Sequence, residues 1–132
     1  MVTVEIYSKV GEEFDFEPIE IAVKKTLREH GVVERAECSV EVVSRQLITH
    51  YAMEYLKEEE SEAAEHPVLS FVQNELEGEF VNPPDGVEHL GEIIVSYDHA
   101  KVMAAQNGTS VTDEMAELAS HATLHLLGIH HD

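Results

Sequence analysis

The sequence predicts an α/β (α+β) single domain: a mixed sheet of about four strands packed against helices, with a metal site at the C-terminal helix and the turn that follows it. Three observations lead there. The chain has 132 residues, the size of one ordinary domain. Short alternating apolar runs take turns with longer runs of helical period. Four of the nine histidines fall between positions 121 and 131.

The elements follow in order. Val2, Val4 and Ile6 alternate with polar neighbours, as in a half-buried strand. Pro18 suits the first turn of a helix that His30-Gly31 closes, with Ile21, Val23, Lys24 and Leu27 giving its period. Residues 36–43 alternate again, with Cys38, Val40 and Val42 on one face. Ser44 is an N-cap for a helix reaching about Leu56, along which Leu47, Ile48, Tyr51 and Tyr55 recur. Lys57 to Glu65 is dominated by glutamate and reads as a solvated loop or a frayed helix extension. Val68–Val72 is a short strand, and Asn82-Pro-Pro-Asp-Gly86 a turn. Gly91–Ser96 is apolar on both faces at its centre, which predicts an interior strand. Ser96 caps a helix through Ala104 that Asn107-Gly108 ends. Ser110 or Thr112 caps a last helix to about Leu127, stopped by Gly128.

Composition narrows the function. Hydrophobic residues are 43% and charged residues 27%, which excludes a disordered chain or a fibrous repeat. No run approaches the ~18 apolar residues of a membrane span, Met1-Val-Thr-Val-Glu-Ile lacks the basic flank of a signal peptide, and Cys38 is the single cysteine. These features point to the reducing cytoplasm and away from a membrane. The charge is unusual: 8 Lys and Arg against 27 Asp and Glu, net −19. From Pro67 onward eleven acidic residues face a single lysine, Lys101, so that half carries −10. Such a field repels a polyanion unless ions or a local basic patch intervene, and it also serves solubility or a salty cytoplasm. The one basic cluster, Lys24, Lys25 and Arg28, is either a phosphate patch or a set of ion-pair partners for nearby glutamates.

The chemistry concentrates at the end: His121-Ala-Thr-Leu-His125-Leu-Leu-Gly-Ile-His130-His131-Asp132. Histidines four apart on a helix leave one face about a turn apart and can grip one ion. Gly128 lets the backbone turn sharply, so that His131 can reach a third corner, with His130 as the rival. Three neutral imidazoles with one open position describe a catalytic zinc site, although histidine also suits copper, nickel and iron. The spacing His-x3-His-x2-Gly-x2-His selects His131, as in the long zinc motif of metzincin peptidases. Those enzymes carry a proton-transferring glutamate directly after the first histidine, where this chain has Ala122. A metallopeptidase is therefore disfavoured. Leu118, Ala119, Ala122 and Leu126 are expected to pack the helix on the sheet.

Residues 121–131 resemble the hallmark His-Gly-x-Leu-His-Leu-x-Gly-Tyr-Asp-His of the YbeY endoribonucleases, or ribosomal RNA maturation factors. They match it at His121, Leu124, His125, Leu126, Gly128 and His131. Val68-Leu-Ser-Phe71 matches a second family block, and Leu90-Gly-Glu-Ile-Ile-Val-Ser96 is similar to a third. The resemblance implies a small α/β fold and one Zn2+ (or another divalent transition metal) held by His121, His125 and His131. It also implies cleavage of single-stranded RNA, with no DNA substrate, in maturation of small-subunit ribosomal RNA and ribosome quality control. Its partners would be the rRNA precursor, the ribosome and ribosomal proteins. Ser70 matches a position near the family's metal cleft. The chain departs from the pattern at Ala122, Ile129 and His130, and has His66-Pro67 where Thr-Asp or Thr-Asn is usual. At Tyr55-Leu56 the family has Tyr-Arg, so a phosphate-clamping cation is missing. Asp132 could serve as a carboxylate partner for a ligand. A ribosome-associated assembly factor with a structural metal and little nuclease activity is the alternative reading, favoured by Leu56 and the net charge.

Overall fold

The computed structural model describes residues 2–32, 35–72 and 88–128. In chain order these form β1 (Val2–Ser8), α1 (Glu17–Glu29), β2 (Ala36–Val43), α2 (Arg45–Leu56), the one-turn α3 (Glu60–Ala63), β3 (Val68–Val72), β4 (Glu88–Ser96), α4 (Tyr97–Asn107) and α5 (Val111–Leu126). The strands make one four-stranded sheet in the order β1-β2-β4-β3. β1, β2 and β4 run parallel, and β3 runs antiparallel to β4 at the edge. The expected mixed sheet of four strands is present, with β4 interior, as its two apolar faces require.

Alternation along the strands builds two cores. Val4, Val40, Val42, Ile93 and Val95 meet α1 and α5 on one face. Val43, Leu69, Phe71 and Ile94 meet Ile48, Ala52 and Ala63 on the other. The helix starts follow local rules: Ser44, Ser96 and Ser110 each accept a hydrogen bond from a backbone N–H of the first turn. Ser110, not Thr112, is the cap of the last helix.

Two readings are corrected. Ile21 is 55% exposed, because the buried stripe of α1 runs through Ile19, Val23, Thr26 and Leu27 at i, i+4, i+7 and i+8. The glutamate-rich segment does not simply fray: Lys57 turns through a left-handed conformation and α3 follows, with Ala63 fully buried. Two histidines pin this segment. His66 Nε2 lies 2.6 Å from Glu58 Oε1, and His99 Nε2 donates to the Ala64 carbonyl at 3.0 Å while its Nδ1 accepts from the buried Ser96 hydroxyl at 2.7 Å. The turn expected over 82–86 lies outside the described residues.

β4 carries an irregularity that places α5. The β2 register skips Leu90 as it passes from Glu37–His89 to Cys38–Gly91, and Gly91 has φ +142°. A Cβ added at Gly91 would sit 2.1 Å from the Phe71 carbonyl oxygen and 3.0 Å from Leu126 Cδ2. Only glycine lets backbone, backbone and the end of α5 approach this closely. Gly91→Ala is expected to cost about 2–4 kcal/mol, combining backbone strain with overpacking. Gly108→Ala, where nothing lies within 4 Å, should cost only the strain, about 1–2 kcal/mol. Urea midpoints compare the two, and equal losses would refute the close-approach argument.

Candidate active site

The last helix is anchored at both ends. At its start the Glu114 carboxylate accepts from Asn107 Nδ2 at 3.0 Å and from Thr109 Oγ1 at 2.7 Å, closing the corner between α4 and α5. Those two donors hold its pKa below the usual carboxylate value. Along its length Met115, Leu118, Ala119, Ala122, Thr123 and Leu126 are buried, as expected for Leu118, Ala119, Ala122 and Leu126. Laterally, Ser120 shares a 2.6 Å hydrogen bond with Thr26 of α1. Thr26 spends its own proton on the Ala22 carbonyl, so Ser120 is the donor.

His121 and His125 flank the buried stripe on the side turned away from Ser120 and α1. His121 is exposed and His125 half-buried. Their ring centroids are 5.2 Å apart and the rings meet edge to face at 66°. Two imidazoles sharing one tetrahedral zinc at ~2.1 Å from each nitrogen would have centroids roughly 5 Å apart, so the pair has the spacing a common ion requires. Just beyond, Gly128 takes φ +78° and its N–H donates to the His125 carbonyl at 3.0 Å, so the chain does turn out of the helix there. His130, His131 and Asp132 lie outside the described residues. Among the described residues no group of three or more His, Cys, Asp or Glu side chains could hold an ion. The two donors present fit a divalent transition metal by type and spacing.

Ser70 sits between Val68 and Val72, both packed into the core beneath α1 and α5, while Leu69 and Phe71 point to the opposite core. Strand alternation therefore puts Ser70 on the sheet face that carries α5. Leu56 is 44% exposed at the end of α2, and Tyr55 packs on Phe71 at 5.4 Å between centroids, on the other side of the sheet. Of the α1 cluster, Lys24 and Arg28 line a cavity with Val2 and Val32, and Lys24 Nζ pairs with Glu20 at 2.8 Å. Sequence reading missed Gly91 and Glu114 as positioning groups. A glycine inside an apolar strand signals a bulge or close approach, but the partners of a helix-N-terminal glutamate leave no such trace.

A family model described as endoribonuclease YbeY matches residues 6–132. The chain belongs to the YbeY endoribonuclease family. It is 34% identical to endoribonuclease YbeY of Roseiflexus castenholzii over 134 aligned residues, covering 100% of this chain and 80% of that one. It is 29% identical to endoribonuclease YbeY of Chloroflexus aurantiacus over 130 residues, 98% of this chain and 82% of the relative. A shorter stretch of 53 residues is 49% identical to the Dehalococcoides mccartyi protein of the same name, 40% of this chain and 33% of the relative. The YbeY resemblance carried by the motifs is thus a family relationship along nearly the whole chain. No helix of the described residues is long and apolar enough to cross a membrane.

The Glu114 anchor has a pH signature. Its folded pKa lies below the ordinary value of 4.5, so its contribution is present above that pH and lost as pH falls through the folded value. Glu114→Gln should flatten the acid limb of the stability curve below about pH 4.5. Urea midpoints measured from pH 6 downward check this, and parallel curves for parent and variant would remove Glu114 from the account.

Proposed function

We propose that this protein is a zinc-dependent, single-strand-specific endoribonuclease acting in small-subunit rRNA maturation and ribosome quality control in the cytoplasm. The observation that carries the reading is the His121–His125 pair, at the separation one ion requires, followed by a left-handed glycine, in a chain of the YbeY endoribonuclease family. His121 and His125 would hold the metal together with His131. The bound ion would supply Lewis acidity toward a phosphate oxygen or a solvent nucleophile at neutral pH.

The chain's own residues do the positioning. The buried stripe of α5 fixes the helix on β3 and β4, and the Gly91 contact sets how deeply its histidine-bearing end sits. Ala122 is buried against the sheet and moves no proton, which separates this helix from that of a metallopeptidase. Ser70, on the face beneath α5, is the candidate hydroxyl for orienting a phosphate. Of the α1 cations, Lys24 is neutralised by Glu20.

Exposed Leu56 favours a second reading, a ribosome-associated assembly factor whose metal is structural and whose nuclease activity is small. One experiment decides between them. Purified protein should carry about one equivalent of zinc by elemental analysis, and His125→Ala should lose it. Single-stranded RNA should be cut by the parent at least about 100-fold faster than by His121→Ala, and chelator should abolish the cutting. Metal retained in the parent without any cleavage would favour the assembly factor. Cleavage equal in parent and variant would overturn the site.

A further inference from the structure

The basic cluster of α1 stands apart from the paired histidines. α1 has acidic residues in its first turn, Glu17 and Glu20, and Arg28 in its last. Its buried stripe, Ile19, Val23, Thr26 and Leu27, leaves Lys24 and Arg28 neighbours on another flank, one turn apart. There they line a cavity of about 260 Å³ with Val2, at the start of β1, and Val32, just past the helix. Lys24 Nζ pairs with Glu20 at 2.8 Å. Lys25 and Arg28 are exposed and make no ion pair among the described residues, not even with Glu29 beside them. A guanidinium above an apolar floor can clasp a phosphate while the base or ribose lies against the valines.

The fold puts this cluster on the same face of the sheet as the histidines. α1 and α5 lie side by side over that face, joined by the Thr26–Ser120 bond, with α1 on β1 and α5 on β3 and β4. Both features also sit at the end where the parallel strands begin. Val2 is level with Ala36 of β2, and Gly91, beneath Leu126, is level with Cys38, two residues farther along the same strand. Each helix is about 10 Å across, so the outer flanks of the pair lie roughly 20 Å apart, within reach of one short single strand. The opposite face of the sheet carries Glu5, Glu37 and Glu92, whose field repels such a strand.

We propose that Arg28 and Lys25, with the cavity beside Lys24, form a second anchor for the phosphate backbone of a single-stranded RNA whose reacting part lies at His121 and His125. This anchor rests on the endoribonuclease reading and gives the strand a hold away from the cut. In a chain of net charge −19, cations without carboxylate partners are scarce, and these share a face and an end of the sheet with the histidines. An acidic peptide would use the same cations but gain nothing from that juxtaposition, so RNA is the favoured occupant. Arg28 also suits the negative end of the α1 dipole, a role that would show in stability and not in RNA affinity.

The test is fluorescence anisotropy with labelled oligouridine of about 20 nucleotides, in chelator so that the strand stays whole, from about 0.05 to 0.2 M salt. Lys25→Gln/Arg28→Gln is compared with Arg45→Gln/Lys101→Gln, which removes the same charge elsewhere. The α1 pair should bind about fivefold or more weakly, with a salt slope shallower by about 1.4, and the control should lose less than about twofold. Urea midpoints check folding, and Arg28→Gln alone should still cost about twofold or more in affinity. Equal losses in the two pairs would reduce the effect to overall charge and overturn the anchor. So would a labelled oligoglutamate that binds more tightly than oligouridine and is released by the α1 pair, which would give the flank to an acidic protein. Neither result touches the endoribonuclease reading, which stands or falls on metal-dependent cutting by the parent.

Discussion

The end of α5 rests on the sheet through one close approach, where Gly91 lies between the Phe71 carbonyl and the Leu126 side chain. Leu126 directly follows His125, so the depth of this contact fixes the height of the histidine-bearing turn above β3 and β4. A bulge in the β2–β4 register and a backbone conformation open to glycine make the contact possible. The other supports of α5 act farther away: Glu114 ties its start to the preceding corner, and Ser120 bonds to Thr26 of α1. Three independent restraints thus hold one helix, and the paired imidazoles inherit its rigidity.

The sheet separates two kinds of surface. On the α5 side, His121 and His125 flank a well-packed helix, with Ser70 on the same face and α1 bonded on the far flank. On the other side, α2 and the pinned α3 cover the half nearest β3 and leave carboxylates in rows toward β1. In a chain of net charge −19 from an endoribonuclease family, the sheet thus stands between the paired histidines and these rows of carboxylates, whose field repels a polyanion.

Strand alternation, serine caps and the stop at Gly128 are local effects, and each was legible in the residues. Val4, Cys38, Val40 and Val42 line the inner face as their alternation requires. The His-x3-His spacing on a helix also settles by itself that the two rings share a side, whatever the rest of the fold does. The third histidine of the motif lies outside the described residues, so His131 rests on the spacing and the family pattern alone.

Other outcomes needed the packed structure, because they depend on which elements meet. Ile21 and Val23 are equally apolar, and only the rotation of α1 against α5 decides that Ile21 faces water. Ala63 is buried because α3 packs by α2 and joins the core of Ile48, Ala52, Val43 and Ile94, a placement that a glutamate-rich run does not announce. The open acidic half-sheet follows from strand order, since β2 must lie between β1 and β4 before Glu5, Glu37 and Glu92 can share one face. Periodicity and hydrogen-bonding chemistry belong to neighbours along the chain and were determined by the sequence itself. Pairing order, helix rotation and close approach arise between distant residues, and only the tertiary structure decided them.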